Sequence, residues 1–103
     1  MNSDKVLYSL ACAAKGERVK HVCSNARVAQ AAYDDVKELV ARGVLNGGIS
    51  CYDNRRRIKF PGDGYVEFHG MDAHWEVGIL GLKTVVYDEA SDHAAAAMRG
   101  SAP

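Results

Sequence analysis

Apolar residues recur at helical spacing in the first part of the chain and alternate with polar ones in the second, the change falling at Gly43. Over residues 5–15, Val6, Leu7, Leu10, Ala11 and Ala14 share one helical face, with Ser3 or Asp4 placed to cap it and Gly16 to stop it. Val19-Lys20-His21-Val22-Cys23 is β-branched and alternating, which predicts a short strand with His21 as a strand-face residue. Ser24 and Asn25 offer the next N-cap. The segment 26–42 then carries a continuous stripe of Val28, Ala29, Ala32, Tyr33, Val36, Leu39 and Val40. Asp34, Asp35, Lys37, Glu38 and Arg42 face the other way, and Gly43 sits where a left-handed residue ends a helix.

Beyond Gly43 the spacing predicts strands at 49–52 and 57–60, with Asp53-Asn54 turning between them. Pro61-Gly62-Asp63-Gly64 then reverses the chain into a strand at 65–69. A loop over 70–78 holds Trp75. The run from Leu82 to Tyr87 is apolar at successive positions, the pattern of a strand covered on both faces, and it ends in Asp88-Glu89-Ala90. Ser91 or Asp92 can cap a last short helix over 94–98.

This order predicts an α/β fold: a small, mostly parallel sheet with flanking helices and a β-hairpin insertion. Strands 19–23 and 84–87 are joined through a helix and should lie parallel with a right-handed crossover. A single α/β domain over 1–99 is expected, with 100–103 as a frayed tail.

Composition adds mainly exclusions. In 103 residues, Lys+Arg and Asp+Glu balance at 13 each, so no global charge points to nucleic acid or a membrane and any such site must be local. Cys12, Cys23 and Cys51 form neither a C-x-x-C pair nor an even set, which favours free thiols in a reducing compartment. No apolar run approaches the ~18 residues of a spanning helix, and residues 1–5 are too polar to open a signal peptide. A cytoplasmic protein with no membrane partner is expected.

The chemistry concentrates at Asp88 and Glu89. Two carboxylates at the carboxyl end of an α/β strand stand where such sheets place ligands: one can hold Mg²⁺, usually through water, while the other polarises an attacking water. A solvated strand end leading into a helix cap fits the same pair. Arg55-Arg56-Arg57 beside Tyr52 can contact phosphates and stack on bases, or form a solvated basic turn balanced by Asp53 and Asp63. His69, His74 and His93 match no zinc spacing, and Cys51 has no neighbouring base to make it a nucleophile. Trp75 reads either as a partner anchor or as a lid over the core.

From Lys5 to His93 the chain resembles the ATPase core of the large terminase subunit of tailed phages and, more distantly, helicase-type motors with the RecA-like fold. The resemblance is carried by Lys5-Val6-Leu7-Tyr8-Ser9-Leu10-Ala11 opening a helix, by Val19–Cys23, and by the capped helix through Ala29 and Tyr33. It continues through the hairpin Arg57-Ile58-Lys59-Phe60-Pro61-Gly62-Asp63-Gly64-Tyr65-Val66-Glu67-Phe68-His69-Gly70. The last part is Gly78-Ile79-Leu80-Gly81-Leu82-Lys83-Thr84-Val85-Val86-Tyr87-Asp88-Glu89-Ala90.

The resemblance implies a truncated P-loop NTPase-like fold. Asp88 matches the Mg²⁺-associated Walker B aspartate, Glu89 the water-activating glutamate, and Lys5 the remnant of the phosphate-binding lysine. The Walker A loop, G-x-x-x-x-G-K-[ST], is absent, and Val6 has no hydroxyl for Mg²⁺. That loop aims backbone N–H groups at phosphates, each charge-assisted bond contributing about 1.5–3 kcal/mol. The expected function is therefore a DNA-packaging motor fragment, inactive as an isolated chain, with ATP and Mg²⁺ as cofactors only once completed. DNA and a second terminase or motor polypeptide are the implied partners. The competing expectation is a non-enzymatic phage accessory protein that binds a host or phage protein, or nucleic acid, through the hairpin and arginine turn.

Overall fold

The structure is a computed structural model that describes residues 3–45, 47–71 and 84–88. Its elements are α1 (Ser3–Ala14), β1 (Arg18–Cys23), α2 (Ala26–Ala41), β2 (Ser50–Tyr52), a single 3-10 turn (Asp53–Arg55), β3 (Arg57–Lys59), β4 (Tyr65–Gly70) and β5 (Thr84–Tyr87). The loop holding Trp75 and His74, the carboxylate of Glu89, His93, the helix expected over 94–98 and the tail 100–103 lie outside the described residues.

Local chemistry sets the helix ends. Asn25 is extended, and its side-chain oxygen accepts from the Val28 N–H at 2.9 Å, capping α2. At the other end Gly43 adopts φ 74° while Val44 N–H reaches the Leu39 carbonyl and Gly43 N–H that of Val40, the paired bonds of a Schellman stop. Helix α1 begins by Ser3, so Asp4 lies within the first turn, where its negative charge opposes the helix dipole.

The sheet order is β2-β3-β4-β1-β5. Strand β1 is parallel to both β4 and β5, while β2–β3 and β3–β4 are antiparallel. The sheet is therefore mixed rather than mostly parallel. The reason lies in the crossover: α2 carries the chain past β4 to the far edge, and the meander β2-β3-β4 returns it to β1. The hairpin is thus part of the main sheet rather than an insertion, and its second strand is β1's direct neighbour. Strand β5 ends the strand order, with Tyr87 43% exposed and Thr84 and Val85 half-buried. The strand buried along its length is β1, from Val19 to Cys23.

Both helices pack on one face of the sheet. Val19, Cys23, Ile58, Val66, Phe68 and Val86 from the strands meet Val6, Leu10 and Ala13 of α1 and Ala29, Ala32, Tyr33 and Val36 of α2. The α1 stripe is rotated from its expected position: Leu7, Ala11 and Ala14 are exposed, whereas Ser9, Cys12 and Ala13 are buried. The helix turns a serine inward because that serine has a partner beneath it. Gly64 fixes the hairpin close to α1: a Cβ there would stand 1.8 Å from the Ala13 carbonyl oxygen. None of the three cysteines is in a disulfide. No helix among the described residues is long and apolar enough to cross a membrane.

Candidate functional site

Alternation on β1 sends His21 and Cys23 to the helix-covered face. The parallel register pairs His21 with Val86 and Val22 with Tyr87, so Asp88, one step beyond, comes level with Cys23 on the same face. The Asp88 N–H donates to the Val22 carbonyl at 2.9 Å and continues the ladder by one bond. Ser9 descends onto this group from α1. Ser9, His21, Cys23 and Asp88 are all fully buried.

The histidine ties the group together. Its Nδ1 lies 2.7 Å from Ser9 Oγ and its Nε2 3.0 Å from Asp88 Oδ2, while the ring tilts against Phe68 with centroids 5.1 Å apart. Burial pushes the imidazole below its ordinary pKa; the hydrogen bond and charge of Asp88 pull the other way, and Lys5 adds to the lowering. With Asp88 ionised, the neutral ring donates from Nε2 to the carboxylate and accepts the Ser9 hydroxyl at Nδ1. The serine, histidine and aspartate of a hydrolytic triad are all present, but the hydroxyl is sealed under α1 where no substrate carbonyl reaches it. It positions the ring.

Lys5 reaches the same strand end from the first turn of α1, where its Nζ donates to the Tyr87 carbonyl at 2.7 Å. Two of the residues singled out in the sequence, Lys5 and Asp88, thus meet at the carboxyl end of parallel strands although 82 positions separate Lys5 from Tyr87. Ser24, just past the end of β1, has a buried hydroxyl with no hydrogen-bond partner among the described residues. As a protein ligand for Mg²⁺, Asp88 brings a buried carboxylate to this end. Its immediate neighbours are an imidazole and a thiol, softer donors than that ion favours.

No family model, curated protein or solved structure matches the chain.

The arginine turn is drawn apart. Arg57 gives its guanidinium to Glu67, with Nε 2.6 Å from Oε2, and lies 4.0 Å from the Tyr65 ring centroid. Arg56, in the left-handed region at φ 49°, donates from Nε to Gln30 of α2 at 3.0 Å. Arg55 is exposed. The turn itself is anchored to α2, because Asp53 accepts from the Tyr33 hydroxyl and from Lys37 Nζ at 2.9 Å. These bonds hold the Asp53 carboxyl below its ordinary range and raise Lys37, while burial and Asp53 together raise the Tyr33 phenol. Burial also raises the half-buried Cys51 thiol, the opposite of what a nucleophile needs.

On the other face of the sheet, Glu67 is the hub of a network that sequence reading did not single out. Its carboxylate accepts from Lys20 at 2.6 Å, from His69 at 2.9 Å and from Arg57. Burial alone would raise Glu67, but these three donors outweigh it and hold the carboxyl well below the usual range. The signal was in the register: Lys20 and Glu67 are direct partners across β1 and β4, and Arg57 and Glu67 across β3 and β4.

Proposed function

We propose that this chain is the core of a terminase-like, nucleotide-driven DNA-packaging motor whose phosphate-binding loop is supplied from outside residues 1–103. The observation that carries the reading is the convergence of Lys5 and Asp88. A helix-opening lysine and a post-strand aspartate, remote in sequence, share one strand end, the position at which α/β sheets bind ligands. The Ser24 hydroxyl at that end, buried and without a hydrogen-bond partner among the described residues, supports it, since such a group calls for a ligand or an ordered water.

In this reading Lys5 would exchange the Tyr87 carbonyl for a phosphate oxygen, and Asp88 would be the one carboxylate holding the Mg²⁺ of a bound nucleotide, with phosphate oxygens and water rather than His21 or Cys23 completing its shell. His21 keeps the carboxylate oriented. Glu89, next in sequence, is the candidate for orienting the attacking water. Nucleotide chemistry then requires a strand and glycine-rich loop from outside residues 1–103. A chain completed with that segment ahead of Lys5, in cis or in trans, is expected to turn over ATP. Absence of turnover from a folded, completed protein rejects the reading.

A further inference from the structure

We propose that His21, Cys23 and Asp88 form a binding site for a divalent transition-metal ion of the zinc class. Their donor atoms, an imidazole nitrogen, a thiol sulfur and a carboxylate oxygen, all lie within 4.8 Å of one another, and all three residues are buried. The proposal does not rest on the nucleotide reading, although Asp88 belongs to both.

Four features argue for such an ion. First, the fold fixes the donors: two come from alternate positions of the buried strand β1 and the third from the hydrogen-bonded extension of β5, so no loop has to be ordered on binding. Second, the 3.0 Å separation of His21 Nε2 and Asp88 Oδ2 is close to the roughly 3.3 Å edge of a tetrahedron with ligand bonds of about 2.0–2.2 Å. Third, a thiolate and a carboxylate with a neutral imidazole cancel the charge of a divalent cation, the combination a dry site tolerates best. Fourth, Ser9 stands 2.7 Å from the other ring nitrogen, where a metal-binding histidine usually has an oxygen that fixes its tautomer.

Binding moves protons in a defined way. The thiol of Cys23 releases one to become a ligand. The imidazole proton shifts from Nε2 to Nδ1, and the Ser9 hydroxyl turns from donor to acceptor. The soft sulfur and nitrogen donors select against Mg²⁺ and Ca²⁺, which favour oxygen cages.

Co²⁺ is the probe that tests this, added to the full chain after reduction and removal of metal. The expected result is a sulfur-to-cobalt charge-transfer band with the intense visible bands of a tetrahedral ion, saturating at one ion per chain and abolished by Zn²⁺. Cys12→Ser and Cys51→Ser retain the band and Cys23→Ser loses it. Ser9→Ala weakens binding by about 10–100-fold. A pale octahedral spectrum without the sulfur band overturns the proposal, as does a band that survives Cys23→Ser. If Cys23→Ser does not fold, the two other serine variants decide, because loss of the band in either one assigns the sulfur elsewhere.

Discussion

At the scale of single residues, polar groups in apolar positions organise this molecule. Glu67 is the clearest case for stability, because two buried or half-buried cations and His69 converge on one carboxylate. Glu67→Gln keeps the shape but strands Lys20 and Arg57. The expected loss is ~2–3 kcal/mol, at the low end for a broken buried pair because a quarter of the Arg57 side chain is still solvated. A urea titration measures it. The pH dependence follows in sign. The folded carboxyl titrates below its unfolded value, so its stabilisation is complete above pH ~4.3 and drains away as pH falls toward the folded value. Urea midpoints of the native chain should fall steeply below pH ~4.3, and Glu67→Gln should flatten that slope. Much of this scale was hidden in the sequence. Ser9 and His21 each interrupt an apolar pattern, but only the packing of α1 over β1 makes them partners, and no spacing rule connects them.

At the scale of elements, legibility was much greater, because helix ends and turns are set by neighbours in sequence. The stripe of α2, its asparagine cap and its glycine stop all appear in the structure as the pattern predicts. Asn25→Ala should therefore cost about 1 kcal/mol in chemical denaturation, the usual value of a side-chain cap. Gly64→Ala should be far worse, leaving little folded protein by circular dichroism, since the added methyl would collide with the backbone of α1 rather than a yielding side chain. Sequence spacing could not reveal that contact, which is long-range. The same limit explains the expectation of a mostly parallel sheet: alternation identifies strands, but it does not say that the chain crosses to the far edge and returns as a meander.

At the scale of the whole molecule, β1 is the axis on which both faces depend. Its helix side carries the core and the Ser9–His21–Asp88 chain, and its other side carries Lys20 and the Glu67 network. Phe68 packs from β4 against His21 and is fully buried, so Phe68→Ala should cost about 3–5 kcal/mol and loosen the histidine with it. The proposed motor reading hangs on the contact of Lys5 with the β5 end. The most direct test of the proposal is phosphate release by the chain completed with a glycine-rich phosphate-binding loop, comparing native protein with Asp88→Asn. The account predicts that turnover falls by about a hundredfold or more while the circular dichroism spectrum is retained, as expected when a catalytic carboxylate loses its charge. Turnover unchanged by the substitution would contradict it.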